Sequence, residues 1–184
     1  MVTDTTRRTL LATLASLPVA GSAKAPTLVA YFTRSGNTRV VAGLIHRSLE
    51  TDLFEIRPAT PYPEDYLQTV EQASREKARG YEPSLASTVP DIARYATVYL
   101  GFPIWAETAP AIIRGFLRAH DLSGKMVVPF ITHGGFGLGN SHAVLRSHAP
   151  RARLQPGFSM EADQERRTMN TVLDWLKNAK ALAT

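Results

Sequence analysis

The chain alternates between short runs of apolar, β-branched residues and longer segments in which apolar residues recur every three or four positions. The runs predict buried strands and the longer segments predict helices, because parallel strands must be joined by crossovers that are usually helical. Strands are predicted at residues 27–32, 53–57, 97–102, 126–132 and 153–158. Helices are predicted at residues 38–50, 63–79, 110–119, 140–147 and 163–181. This alternation indicates the α/β class, with one doubly wound sheet of five parallel strands and helices on both of its faces.

The last predicted helix indicates how the domain is closed. Met169, Val172, Leu173 and Leu176 recur at spacings of three and four, which gives this helix one apolar face that can cover the sheet. No internal repeat, low-complexity tract or flexible linker divides the sequence into halves. We therefore expect residues 26–184 to form a single domain.

Residues 1–25 have the three parts of a secretory signal. Arg7 and Arg8 precede an apolar stretch, residues 10–20, and small residues follow up to Ala25, after which we predict cleavage. The apolar stretch is about half the ~20 residues that a transmembrane helix needs, so the mature chain is expected to have no stable membrane span.

The residues around Arg7 and Arg8 resemble a twin-arginine export signal, a route that carries folded proteins. This resemblance implies a periplasmic or otherwise exported protein that receives its cofactor before export. Three alternatives stay open: a general secretory signal, an uncleaved anchor that leaves the protein membrane-tethered, and a disordered tail on a cytoplasmic protein.

The composition excludes several kinds of chemistry. The 184 residues include no cysteine, so disulfides, thiolate metal sites and a cysteine nucleophile are excluded, and any redox chemistry must come from a cofactor. The net charge of +5 is spread along the chain without a lysine or arginine block, which argues against a nucleic-acid partner. The motifs H-E-x-x-H and G-x-S-x-G are also missing, so neither a metal site nor a hydrolase is predicted.

Polar and glycine-rich segments follow three of the predicted strands. In the strand order 2-1-3-4-5, the carboxyl ends of strands 1, 3 and 4 are neighbours at the point where the order reverses, which is where such sheets bind ligands. The segments that follow these strands are residues 33–38, 103–108 and 133–137. We therefore expect one binding site, built from all three loops at this edge.

The loop after strand 1 is suited to a phosphate monoester. Thr33, Ser35 and Thr38 supply hydroxyl donors, Gly36 allows close approach of the backbone, and a helix that begins near Asn37 points its unpaired N–H groups at the loop. The loop contains no lysine and does not match the nucleotide-triphosphate motif G-x-x-x-x-G-K-S/T. The alternative is that the hydroxyls only cap the helix.

The other two loops are suited to a planar ring. Trp105 offers a large aromatic face, although a tryptophan at this position could instead cover the core. Gly134, Gly135 and Gly137 leave backbone amides accessible to a ring edge, although they could instead form only a mobile loop. These glycines do not fit the dinucleotide motif G-x-G-x-x-G.

At Thr33, Ser35, Gly36 and Thr38 the first loop matches the pattern Thr/Ser-x-Thr/Ser-Gly-x-Thr of flavodoxins. The segments DLFEIRPATPYPEDY, GFPIWAETAP and PFITHGGFGLG also resemble a bacterial flavodoxin-like subfamily, so the resemblance extends over nearly all of residues 26–184. It implies non-covalent FMN. Its phosphate would lie at the loop formed by Thr33, Arg34, Ser35, Gly36, Asn37 and Thr38. Its ring would lie between two groups of residues: Pro103, Ile104, Trp105, Ala106 and Glu107, and Thr132, His133, Gly134, Gly135 and Gly137.

The chain departs from this family in two respects. Single-electron flavodoxins often have a flexible glycine beside the flavin, whereas here the turn reads Trp105-Ala106-Glu107, which favours two-electron chemistry. Many flavodoxins are acidic, whereas this chain is mildly basic, which favours anionic partners. Glu107 and His133 are candidates for proton transfer at the ring, or else solvated loop residues.

These observations leave three functions open. The leading hypothesis is an exported FMN-binding electron-transfer protein whose partner is a redox protein or a small-molecule electron acceptor. The first alternative is an enzyme, an FMN-dependent oxidoreductase that transfers hydride from NAD(P)H to a quinone-type acceptor. The second alternative is a binding domain that has kept the fold and lost the flavin.

Overall fold

The computed structural model describes residues 26–135, 137–161, 172 and 174–178. The predicted signal, residues 1–25, and most of the predicted last helix lie outside the described residues. The strands are β1 Thr27–Tyr31, β2 Asp52–Glu55, β3 Thr97–Pro103, β4 Met126–His133, β5 Arg153–Leu154 and β6 Phe158–Glu161. The helices are α1 Asn37–Leu49, α2 Tyr66–Arg79, α3 Ala111–Ala119 and α4 Ser141–His148.

The strands form one parallel sheet in the order β2-β1-β3-β4-β5, which confirms the predicted order. The register of the central pairs runs from Thr27 opposite Thr97 and from Thr97 opposite Met126, so the carboxyl ends of β1, β3 and β4 are neighbours at one edge. This is the edge at which the sequence predicts the binding site.

The strand predicted at residues 153–158 is present as two short strands, both parallel to β4. The last ladder bond of β5 is donated by the N–H of Gln155 to the carbonyl of Val127. Gly157 then takes a positive φ of 78°, and a Cβ at this glycine would lie 2.2 Å from the carbonyl oxygen of Pro129. The pairing of the edge segment with β4 is therefore interrupted beside Pro129, between β5 and β6.

The second helix begins three residues later than the sequence predicts, because Asp65 caps it. The Asp65 carboxylate accepts a hydrogen bond of 2.9 Å from the N–H of Gln68. This is the bond that an N-cap residue makes to the first turn of a helix.

Apolar side chains alternate along β1 and build a core on each face of the sheet. Leu28, Ala30 and Phe32 pack with the residues of α3, whereas Val29 and Tyr31 pack with those of α1. Residues 172 and 174–178 are helical, and Val172 and Leu176 are buried in the second of these cores. This agrees with the predicted apolar face of the last helix for the residues described.

None of the helices in the part of the chain that the structure describes is long and apolar enough to span a membrane.

Candidate functional site

A cavity of about 630 Å³ lies at the carboxyl edge of the sheet, and we call it the edge cavity. All three predicted loops contribute to its wall. The predicted residues that line it are Arg34, Ser35, Asn37, Pro103, Ile104, Trp105, Ala106, Glu107, Thr132, His133 and Gly134. Thr33, Gly36, Thr38, Gly135 and Gly137 belong to the same loops but do not line it. The remaining wall, which the sequence reasoning missed, is the face of α2 that carries Tyr66, Thr69, Val70 and Ala73.

The loop after β1 leads into the exposed amino terminus of α1. Gly36 is the N-cap residue with a φ of 97°, and no side chain among the described residues caps the helix. The Thr33 hydroxyl accepts a hydrogen bond of 3.1 Å from the N–H of Gly36, which shapes the loop and leaves the first N–H groups of α1 without a capping oxygen. An added Cβ at Gly36 would meet no atom of the described residues within 4 Å, so as far as these residues reach, the space above the loop is open. Backbone donors at a helix start beside open space are suited to an anion.

Two threonines of the predicted site bond to each other. The hydroxyls of Thr38 and Thr132 lie 2.9 Å apart, and the two residues are 1% and 3% exposed. This buried pair ties the start of α1 to the end of β4. The Thr38 hydroxyl is thus engaged below the loop, and Ser35 and Asn37 are the side chains of the loop that line the cavity together with Arg34.

The turn after β3 is held in an uncommon conformation. Trp105 and Thr108 exchange two backbone hydrogen bonds of 3.0 Å, and the two residues between them have φ values of 47° for Ala106 and 62° for Glu107. Positive φ at both central positions is what a type I′ turn requires, and this turn usually takes asparagine and glycine there. Each non-glycine residue in this region costs about 1–2 kcal/mol, so the surrounding structure must hold the turn.

Trp105 lines the edge cavity and is also packed on the core. Its ring meets that of Phe32 edge-on at 5.2 Å between centroids and that of Tyr62 edge-on at 4.8 Å. The Tyr62 hydroxyl donates a hydrogen bond of 3.0 Å to the carboxylate of Glu76, and burial raises the pKa of Tyr62 far above its usual value. The tryptophan is therefore anchored by a neutral tyrosine, and it takes part both in covering the core and in forming the cavity wall.

The loop after β4 is tied to the turn after β3. The N–H of Ile104 donates a hydrogen bond of 2.9 Å to the carbonyl of Thr132, and the N–H of Asn140 donates one of 3.1 Å to the carbonyl of Glu107. The His133 Nδ1 accepts a bond of 3.2 Å from the N–H of Gly135. In the neutral ring the proton of His133 therefore sits on Nε2.

Among the described residues that line the edge cavity, Arg34 is the only lysine or arginine. Its guanidinium donates a hydrogen bond of 2.6 Å to the carbonyl of Glu64 and lies 5.8 Å from the centroid of the Tyr66 ring. Arg39, the other arginine of this region, pairs instead with Glu55 at 2.8 Å and does not line the cavity. In the part of the chain that the structure describes, the basic charge of the cavity wall therefore comes from Arg34.

A second cavity of about 700 Å³ adjoins the first and also has Arg34 in its wall. We call it the proline cavity, because Pro58, Pro61 and Pro63 line it. Phe32 and Tyr62 also line it, so the three-ring cluster with Trp105 contributes to the walls of both cavities. The sequence gives no signal for this second cavity, since it forms only when the segment after β2 folds back beside β1.

No group of histidine, aspartate and glutamate side chains in the described part of the chain has the arrangement of a metal site.

Comparison with known proteins gives one family and several similar structures. The family model described as flavodoxin matches residues 26–179. A putative flavoprotein from Bacteroides uniformis is 33% identical over 83% of this chain and 97% of its own, with a TM-score of 0.73. A putative flavoprotein from Bacteroides eggerthii is 32% identical over 84% of this chain and 97% of its own, with a TM-score of 0.71.

The fold is shared more widely. A flavoprotein from Lactobacillus acidophilus, solved in complex with FMN, is 20% identical over 80% of this chain and 99% of its own, with a TM-score of 0.65. No curated protein matches the chain. The family match covers most of the chain and agrees with the sheet order and with the loops at its carboxyl edge, so the chain belongs to the flavodoxin family.

Proposed function

We propose that this protein binds FMN without a covalent bond and transfers electrons to or from a separate redox partner. The observation that carries the proposal is the edge cavity, which joins the uncapped start of α1 to the Trp105 turn and the loop after β4. Its volume of about 630 Å³ lies within the range of small-molecule and cofactor sites. When bound, FMN would supply the hydride or single-electron chemistry, and the protein would supply binding, orientation and electrostatics.

The phosphate end of the cavity has backbone donors and the guanidinium of Arg34. The first N–H groups of α1 carry the positive end of the helix dipole, and Ser35, Asn37 and Arg34 surround the same opening. A doubly charged phosphate is suited to this combination. The ring end has Trp105 as its aromatic wall and the backbone of the two later loops as its polar edge.

Two side chains at the ring end could exchange protons with a bound ligand. Glu107 is exposed at the rim, and His133 is half-buried with its Nδ1 occupied, so its Nε2 is the atom available for donation. We propose them as proton carriers between solvent and the ring or a substrate above it.

The test compares the two tryptophans of the chain. Trp105 lines the cavity, whereas Trp175 stacks on Phe158 at 5.1 Å in the core on the other face of the sheet. Replacing Trp105 by leucine should raise the FMN dissociation constant about two- to tenfold, the worth of one aromatic pair. The same change at Trp175 should leave the affinity of the folded protein unaltered, although it lowers stability. Equal affinities for the wild type and the Trp105 variant would refute this placement of the ring.

A second candidate function is favoured by the proline cavity. Its volume of about 700 Å³, beside the first cavity and sharing Arg34 with its wall, gives room for a second reactant. This would support an FMN-dependent oxidoreductase acting between NAD(P)H and a quinone-type acceptor. Reductive titration of the FMN-loaded protein distinguishes the two functions. A carrier of single electrons should reduce in two resolved steps, whereas an oxidoreductase of this type should reduce in one and turn over with NAD(P)H.

We further propose that residues 1–25 direct export to the periplasm by the twin-arginine route. Replacing Arg7 and Arg8 by lysine in the full chain should retain the protein in the cytoplasmic fraction. Unchanged export of this variant would favour a general secretory signal, and a chain that stays uncleaved in membranes would favour an anchor.

A further inference from the structure

The turn at the rim of the edge cavity combines backbone strain with an unusual anchor. Ala106 and Glu107 both have positive φ, at 47° and 62°, and both residues line the cavity. Conformations of this kind persist only where neighbouring groups determine them, and they cluster at functional sites. The groups that hold Ala106 and Glu107 in this conformation therefore also set the shape and the hydrogen-bonding groups of the cavity rim.

Each carbonyl of the strained turn has a partner on a different element. The carbonyl of Glu107 accepts the N–H of Asn140 at 3.1 Å, and Gly139 lies so close that a Cβ there would be 1.9 Å from the same oxygen. The carbonyl of Ala106 accepts a hydrogen bond of 2.7 Å from the ammonium group of Lys77. The turn is therefore held from the start of α4 on one side and from the end of α2 on the other.

Lys77 lies one helical turn beyond Ala73, which lines the cavity, so it belongs to the face of α2 that forms the cavity wall. The ion pairs among the described residues involve other cations, and the bond that the structure gives Lys77 is the one to Ala106. A hydrogen bond from a charged donor is about twice as strong as one between neutral groups.

A fixed carbonyl fixes the whole peptide unit. The described residues contain no cis peptide bond, so the N–H of Glu107 points away from the oxygen of Ala106. To exchange its acceptor for its donor at the rim, this peptide would first have to break the bond from Lys77 to its oxygen.

We propose that Lys77 is a positioning residue that locks the Ala106–Glu107 peptide in one orientation. This peptide then offers the same hydrogen-bonding group at the cavity rim whether a bound ring is oxidised or reduced. The effect on a bound ring rests on the proposed FMN function, whereas the orientation of the peptide by Lys77 does not require a ligand.

The first arm of the test uses the protein without FMN. The N–H of Thr108 donates a hydrogen bond of 3.0 Å to the carbonyl of Trp105 across the turn. In Lys77→Met this amide proton should exchange with solvent about tenfold faster, as followed by NMR, and Lys77→Arg should restore slow exchange. Arg79→Met is the matched control, because Arg79 is the other basic residue in the last turn of α2. Unchanged exchange in Lys77→Met would overturn the inference, even if FMN binds. Failure of the wild type to bind FMN would refute the proposed function and leave this arm intact.

The second arm uses the FMN-loaded protein. Loss of the lock should weaken FMN about tenfold, because the rim is no longer preorganised. It should also raise the two-electron reduction potential, since a freed carbonyl can accept a hydrogen bond from the N–H groups that a flavin ring gains on reduction. A role of Lys77 as a charge alone predicts the opposite, because removing a cation disfavours the more negative reduced ring. A lower potential in Lys77→Met, or an equal change in Arg79→Met, would refute the positioning role.

Discussion

Replacing Thr38 by valine removes one half of the buried hydroxyl pair that ties the start of α1 to the end of β4. The two hydroxyl oxygens lie 2.9 Å apart, and the residues are 1% and 3% exposed. Neither hydroxyl can turn to bulk water when its partner is lost. Each single substitution therefore leaves a buried polar group without its bond.

The size of the stability loss depends on whether one hydroxyl or both are removed. A buried donor or acceptor left without a partner costs about 1–3 kcal/mol, whereas replacing both partners by apolar groups of the same shape is nearly neutral. Thr38→Val and Thr132→Val should each lower the free energy of unfolding by about 1–2 kcal/mol. The double variant should lose less than the sum of the two, which corresponds to a coupling of about 1–2 kcal/mol between them.

The assay is urea unfolding of the four proteins of this cycle, each with and without FMN. Thr51→Val is the matched control, because the Thr51 hydroxyl is buried without a hydrogen-bond partner among the described residues, so its loss should cost nothing. Strictly additive losses in the double variant would refute the coupling. A Thr38→Val protein of full stability that binds FMN at least tenfold more weakly would show that this hydroxyl serves the ligand, as the sequence pattern alone suggests.

Two further predictions concern the stability of the folded protein. Burial lowers the pKa of His120, so the unfolded chain takes up a proton first and the free energy of unfolding should fall as the pH drops below about 6.5, by at most about 1.4 kcal/mol per pH unit. Urea titrations from pH 8 to 5 should show this slope in His142→Gln and lose it in His120→Gln, and a flat wild-type profile would contradict the reasoning. Gly139→Ala should cost more than about 2 kcal/mol, because its Cβ would lie 1.9 Å from the carbonyl oxygen of Glu107. Gly124→Ala, with φ of 72° and open space, should cost only the backbone strain of about 1–2 kcal/mol in thermal unfolding, and equal losses would show that the loop at Gly139 relaxes.

The sheet order and the edge at which the three loops form a cavity could be predicted from the sequence because both depend on local signals. Apolar runs identify strands, helical periodicity identifies crossovers, and the order of a doubly wound sheet then brings three particular loops together. Trp105 and the loop at Ser35 were found in this way, and both line the edge cavity. The placement required no knowledge of side-chain contacts.

The parts that could not be predicted depend on contacts between distant segments. The wall formed by α2 shows no special chemistry in its sequence, because Val70 and Ala73 are ordinary helix residues. The break between β5 and β6 depends on Gly157 meeting Pro129, two residues that are far apart along the chain. The bond from Lys77 to the carbonyl of Ala106 likewise spans 29 residues and carries no sequence signal.

The net positive charge of the chain is not concentrated at the edge cavity, so it does not by itself make the cavity a general anion site. Among the described residues that line the edge cavity, Arg34 is the only lysine or arginine, and Glu107 carries the opposite charge at the other end. Two of the loop's threonine hydroxyls are engaged within the protein, Thr33 with the N–H of Gly36 and Thr38 with the partner threonine on β4. An anion at this loop would therefore be held by backbone N–H groups, whose positions are fixed by the fold, together with Ser35, Asn37 and the guanidinium of Arg34. Such a site selects by geometry more than by net charge, so its affinity for a phosphate group should depend only weakly on salt.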